Sequence, residues 1–199
     1  MTTPDDSTAP PAGEATTSSP AAVSAAAFAT GGAAAGDWTL DPTGSLVEFH
    51  TTSMWGMAKV HGRFGTVSGA GAVAADGTVT GRIEIDAASV DSKIKKRDDH
   101  LRSADFFHVE QHPAITVVIE GIAPQEGDRV EVRGTLTARG HGEALAFPAT
   151  VTEAGADAVT IHAEFEVDRS RFGMTWSPMK MAPMRTRIAV TARFLRTAA

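Results

Sequence analysis

The sequence predicts an all-β fold, an eight-stranded antiparallel up-and-down barrel, and three observations predict it. From Ser45 onward the apolar residues recur at every second position, which is the period of a half-buried strand. Between them stand Glu48, Arg82, Glu84, Glu131, Arg133, His162, Glu164 and Glu166. Each strand therefore has one wet face and one dry face, as antiparallel sheets allow and parallel ones do not. Three connections are turn-like: "DG" at Asp76–Gly77, "PQEGD" at Pro124–Asp128 and "EAGAD" at Glu153–Asp157. Strands joined mostly by hairpins close most economically into a barrel, because closure removes both sheet edges. A two-sheet sandwich is the rival arrangement.

Taken in order, the first strand carries Val47 and Phe49, the second Val60 and Phe64, the third Val79, Ile83 and Ile85, and the fourth Ile115, Val117 and Ile119. Val130, Val132 and Leu136 mark the fifth, Leu145, Phe147 and Val151 the sixth, Val159, Ile161, Phe165 and Val167 the seventh, and Ile188, Val190 and Phe194 the eighth. "GAGAVAADG" at Gly69–Gly77 opens no helix and reads as a strand bend or bulge. The excursion Ala87–Pro113, between the third and fourth expected strands, has room for a short helix capped by Ser92 and ending near Ser103. On that helix Asp98 and Arg102 have the spacing of an ion pair.

Parity of the connections points toward function. In a meander the odd connections lie at one end of the barrel, and the three tight turns are connections two, four and six. "MWGM" at Met54–Met57, the Ala87–Pro113 excursion, "RGHGE" at Arg139–Glu143 and the segment Arg169–Arg185 share the other end. Met54, Met57, Met174, Met179, Met181 and Met184 all fall there, beside Trp55 and Trp176. Methionine adapts to apolar partners and tryptophan suits boundaries between apolar and wet regions, so this end is either an entrance or a plug. An eight-stranded barrel leaves an interior that packed side chains fill or one slender ligand occupies.

Composition sets the limits. Residues 1–36 are almost entirely Ala, Thr, Ser, Pro and Gly, with Val23 and Phe28 the only large apolar side chains after Met1, so they are expected to be a disordered low-complexity tail ahead of a domain at 37–199. The first basic residue is Lys59, an ordinary secretory signal is not read, and a cytoplasmic location is expected. No apolar run approaches the roughly 20 residues of a membrane helix, and the absence of Cys excludes disulfides and thiolate chemistry. Net charge is −6; with Asp5, Asp6 and Glu14 set aside it falls to −3, which argues against general nucleic-acid binding. Nothing after Asp168 is acidic, so the last strand and its preceding loop form a basic patch.

The stretch "RDDHLRSADFFHVEQHP" at Arg97–Pro113 crowds acids and histidines together. On a helix Asp99 and His100 point roughly 100° apart, so no ligand pair converges. His108 and His112 are four apart, but Pro113 disfavours helix there and two ligands do not complete a zinc site. No catalytic residue, metal site or cofactor is assigned. The rival readings are a hydrolase-like enzyme using Asp98, His100 and His108, and a packed barrel whose loops bind a protein partner.

"RDDHLRSADFF" followed by "HP", with "WTLDPTGSLVEF", "VHGRFGTVSG", "GRIEIDAASVDS" and "GTLTARG", resembles the YceI-like family of polyisoprenoid-binding proteins. The resemblance spans about Asp37 to Arg196. It implies a lipocalin-like barrel whose lumen holds the tail of an isoprenoid lipid, with a short helical connection anchored by Leu101, Phe106 and Phe107. His108, His141, Val67 and the Met and Trp cluster of the first connection depart from the family pattern. On this reading Val47, Phe49, Phe64, Ile83, Phe107, Ile115, Val117, Phe147, Phe165 and Ile188 face the lipid, with Met54, Trp55, Met57, Met174 and Trp176 at the entrance. Lys180, Arg185 and Arg187 would stand beside a phosphate or quinone head. The expected function is a noncatalytic carrier of an isoprenoid or isoprenoid quinone, with no nucleic-acid partner and no membrane span; transient membrane-surface contact and a homodimer stay open.

Overall fold

The structure, a computed structural model, describes residues 33–198. Its strands are β1 (Gly36–Leu40), β2 (Leu46–Ser53), β3 (Ala58–Phe64), β4 (Val67–Val73), β5 (Val79–Asp86), β6 (Val90–Asp91), β7 (Ala114–Pro124), β8 (Arg129–Ala138), β9 (His141–Ala154), β10 (Ala158–Asp168) and β11 (Arg185–Arg196), with helix α1 at Lys95–Arg102. The strand order runs β1-β4-β5-β7-β8-β9-β10-β11, and β11 pairs back onto β1, so eight antiparallel strands close into a barrel. The sandwich alternative is thereby excluded. β2, β3 and β6 continue the sheet from β11.

These additional strands arise because three long strands each break in two. β1 and β2 both lie antiparallel along β11, with Leu40 opposite Phe194 and Leu46 opposite Thr191. The break between them is fixed by Asp41, whose carboxylate accepts from the Thr43 amide at 2.9 Å and from Arg193 at 3.3 Å. β3 and β4 pair in the same way with β2 and β1, and β5 and β6 with β4 and β3. Numbered by the observed elements, the helix follows β6 and does not join a third strand to a fourth.

Local details of that connection also differ from expectation. Ile94, not Ser92, precedes the helix, and it supplies no side-chain cap. Ser92 instead donates through its amide (2.8 Å) and its hydroxyl to the buried Asp98 carboxylate. Asp98 is therefore unavailable to Arg102, which pairs with Asp99 at 3.6 Å and donates to the carbonyls of Ala88 and Val90. A buried carboxylate draws the donors that also fix the loop entering the helix, because leaving it unsatisfied is costlier than losing an exposed ion pair.

Gly69 and Gly71 lie within β4, where an added Cβ would stand 2.9 Å from the β5 carbonyls of Arg82 and Thr80; the glycines permit close strand approach, and the register there is unshifted. Buried side chains form two clusters. One, around Trp38, Val73, Val130, Val132, Val151 and Val159, sits near the hairpin end; the other, around Phe49, Phe64, Val90, Phe172 and Met174, sits near the elaborate end. Each fully buried valine contributes on the order of 1.5–3 kcal/mol. Residues 1–32 of the expected tail, and Ala199, lie outside the described residues. Ala33, which the tail was expected to include, is buried in the hairpin-end cluster, and the Ala34 carbonyl accepts from Trp38 Nε1 at 3.2 Å.

Candidate binding site

The inward side chains of the closed ring leave two chambers in line. The lower one, at the hairpin end, holds about 120 Å³ and is walled by residues such as Trp38, Ile83, Ile119, Val132, Phe147 and Ile161. The upper one, at the elaborate end, holds about 310 Å³, within the size class of small-molecule pockets. Its walls include Phe49, Phe64, Phe107, Ile115, Leu136 and Ile188. Val47, Ile85, Val117, Phe165 and Val190 border both chambers, so one hydrocarbon girdle joins them. Strand alternation explains the dry surface: on β10 the lumen takes Ile161, Ala163 and Phe165, while His162, Glu164 and Glu166 face outward. Phe147 and Phe165 stack across neighbouring strands with ring centroids 4.2 Å apart.

The connections at the elaborate end contact one another. The Trp55 amide donates to the Met181 carbonyl at 3.0 Å, the Arg139 guanidinium donates to the Gly173 carbonyl at 2.7 Å, and the His100 and Trp176 rings meet edge to face at 4.4 Å. All three contacts converge on the segment Arg169–Met184.

That segment is organised by Arg169. Only 8 % exposed, it donates to the carbonyls of Pro183 (3.1 Å), Met174 (2.7 Å) and Trp176 (2.9 Å), and its guanidinium lies 5.5 Å from the Phe106 ring centroid. Burial lowers its pKa, opposed by the charge of Asp168, but a guanidinium stays protonated at any physiological pH. Asp168 turns away to accept from the amide and hydroxyl of Ser170, and those bonds hold its carboxyl below the ordinary value. Arg97 and His100 border the same chamber from α1. Arg97 donates to the hydroxyl and carbonyl oxygens of Ser92, and His100 Nε2 meets Asp105 at 3.0 Å.

Most of the sequence-selected lumen residues are brought together. Val47, Phe49, Phe64, Phe107, Ile115, Val117, Phe165, Met174, Trp176 and Ile188 border the upper chamber, and Ile83 and Phe147 the lower. Met54, Trp55 and Met57 do not join them. They occupy the tip of the β2–β3 hairpin, beyond the lumen wall, and are 52 %, 63 % and 76 % exposed. Lys180, Arg185 and Arg187, the expected head-group cations, also lie off the lumen wall. Thr186 and Ile188 face the lumen, so alternation sends Arg185 and Arg187 outward, where they pair with Glu166 at 3.5 Å and Glu164 at 3.0 Å. Lys180 is exposed and borders neither chamber. Arg97, His100 and Arg169 border the upper chamber instead. An arginine directly after a strand, inside the Met and Trp loop, was the available signal for Arg169.

The acid and base residues of the rival enzyme reading do not converge. Asp98 turns to Ser92, His100 to Asp105, and the His108 ring stands edge to face with His112. Among the described residues no three His, Asp or Glu side chains are grouped to hold a metal ion.

Comparison with known proteins matches residues 38–194 to the YceI-like domain. The chain belongs to the YceI-like family. Among relatives of this family, a UPF0312 protein of Azotobacter vinelandii is 29% identical over 131 residues, 64% of this chain and 68% of that protein. Protein YceI of Escherichia coli O157:H7 is 28% identical over 134 residues, 65% and 69% of the two chains. Among solved structures, BcnA of Burkholderia cenocepacia superposes with a TM-score of 0.69 at 25% identity, over 77% of this chain and 98% of BcnA. A polyisoprenoid binding domain from Saccharophagus degradans gives 0.67 at 17% identity, over 80% and 98%. Both share the barrel fold. Among the described residues no helix is long and apolar enough to cross a membrane.

Proposed function

We propose that this YceI-like barrel is a noncatalytic carrier that holds the tail of a long apolar lipid, an isoprenoid or isoprenoid quinone, along the two chambers of its lumen. The observation that carries the reading is the continuous hydrocarbon wall, from Trp38 and Phe147 at the bottom through the Val47 girdle to Phe107 and Trp176 at the top. A chain inserted there buries apolar area at about 25 cal/mol per Å² without leaving any polar group unpaired. The S. degradans domain, of the same fold, is a polyisoprenoid binding domain and supports an isoprenoid as the guest.

Loading and release would occur at the elaborate end. Met54, Trp55, Met57 and Met179 project there with exposures from 52 % to 76 %. An exposed Trp and Met fringe beside a lipid entrance suits transient contact with a membrane surface. The test of the carrier reading is native mass spectrometry of protein purified without detergent. A co-purifying lipid displaced by added prenol is expected; a clean mass that stays unchanged on adding prenol contradicts the reading.

A further inference from the structure

Away from the lumen, the outer face of the β2–β3 hairpin carries two imidazoles set against each other. His50 and His61 are direct partners in the antiparallel register, and their rings meet edge to face with centroids 4.8 Å apart. Like atoms make the contact: Nδ1 of one ring stands 2.6 Å from Nδ1 of the other. All seven histidines of the chain lie among the described residues, and in no other pair do the ring nitrogens touch. His100 turns to Asp105, His162 to Thr191, and the His108 and His112 centroids are 5.8 Å apart. Alternation places the pair outside, since Val47, Phe49, Val60 and Phe64 of the same strands are buried while His50 is half-buried and His61 exposed. The neighbouring guanidinium groups are engaged by carboxylates: Arg187, opposite His50 on β11, pairs with Glu164 at 3.0 Å, and Arg63 with Asp91 at 3.8 Å.

Two neutral imidazoles make such a contact only when one Nδ1 carries a proton and the other offers its lone pair. If the donor ring holds its proton on Nε2 instead, both Nδ1 lone pairs converge on one point, and this change of tautomer releases no net proton. A metal ion bound by two imidazole nitrogens at about 2.0–2.1 Å, in neighbouring coordination positions, holds them about 3 Å apart. A small opening of the rings from 2.6 Å therefore admits the ion, and the strand register has already aligned them. We propose that His50 and His61 chelate a divalent transition-metal ion on the outer wall of the barrel, with Cu(II) preferred over Zn(II). Imidazole suits both ions, and cupric ion stands at the top of the affinity order for such ligands. Two nitrogens leave the remaining positions to water, so the site is open and exchangeable, unlike a closed structural zinc site. The bound ion would tie together the two strands of the hairpin whose tip carries Met54, Trp55 and Met57. This site does not depend on the carrier reading.

The experiment titrates the full chain with Cu(II) in the presence of glycine as a competing chelator, and follows stoichiometry by calorimetry and coordination by electron paramagnetic resonance. One cupric ion per chain with two coordinated imidazole nitrogens is expected, and Zn(II) should bind at least about 10-fold more weakly. His50→Ala and His61→Ala are each expected to weaken Cu(II) binding at least about 10-fold, the scale on which even supporting residues of metal sites act. The double variant should lose little more than either single one, because the two rings act as a unit. His108→Ala with His112→Ala should leave the affinity unchanged. A wild-type spectrum with fewer than two imidazole nitrogens overturns the site, and that reading needs no variant to fold. Equal Cu(II) affinity for wild type and the His50 and His61 double variant, or loss of binding in the His108 and His112 variant, overturns it as well.

Discussion

At the hairpin end, β4 and β5, β7 and β8, and β9 and β10 are joined by residues 74–78, 125–128 and 155–157, and the lumen beyond them narrows to a chamber of about 120 Å³. At the opposite end the connections include 87–113 and 169–184, and the chamber widens to about 310 Å³. The same alternating strands run through both. What changes is the lining near the end: Trp38, Val132 and Phe147 below, Arg97, His100 and Arg169 among aromatic rings above. The lower chamber can recognise little but hydrocarbon, because its guest gains only by leaving water. The upper chamber can discriminate, since its polar groups are fixed by loops that grip one another. On the proposed carrier function, one barrel would separate affinity for a chain from selectivity for what caps it.

The contrast is broken most severely by placing charge in the lower chamber. Phe147→Asp would set an unpaired carboxylate against the chain and remove the stacking on Phe165, at a cost of several kcal/mol. Loss of prenol binding with a lowered melting temperature is expected in titration and thermal unfolding; retained affinity would show that the chain does not reach this chamber. Trp176→Ala removes an aromatic wall of the upper chamber and its contacts with His100 and Phe106, so affinity is expected to fall by on the order of 1 kcal/mol, about fivefold in Kd.

A smaller effect concerns acid. The Asp168 carboxyl is held below its ordinary value by the Ser170 hydroxyl and amide, so its contribution is fully present above about pH 4 and fades as pH falls through the lower folded value. Wild type is expected to lose more melting temperature than Asp168→Asn between pH 5 and pH 3, in steps of about one unit; parallel curves would show that this turn adds nothing. The smallest expected change is in Trp55→Ala. Equilibrium affinity for a soluble prenol should stay within about twofold, since Trp55 lies off the lumen wall, while transfer from vesicles slows. A large loss of equilibrium affinity would move the entrance to the β2–β3 tip.

The contrast between the ends also marks what the sequence could reveal. Period-two alternation made the lumen residues of the long strands legible, because one face of each strand is dry and a single-residue slip would expose them all. β1 went unread: it has five residues, and Trp38 and Leu40 precede a turn that hides their continuity with β2. β4, "VSGAGAV", has too few large side chains to show a period, although its glycines are what let it lie close to β5. The upper chamber was legible only as a place. Arg169 is buried by carbonyls at Met174, Trp176 and Pro183, and no spacing rule relates those positions, so the sequence pointed to Lys180, Arg185 and Arg187 and passed over Arg169. The pairing of Arg185 and Arg187 with Glu166 and Glu164 depends on a register that alternation alone does not fix.

On the proposed function a single chain runs through both chambers with its head at the elaborate end. Photo-crosslinking with two prenyl probes tests it most directly, one bearing a diazirine at the tail terminus and the other beside the head, followed by mapping of the labelled peptides. Tail labels are expected on Phe147, Ile161 or Val132 and head labels on Phe107, Trp176 or the Arg97–Leu101 turn. Labels from both probes on the outer face of the barrel, or tail labels confined to the upper chamber, would contradict it.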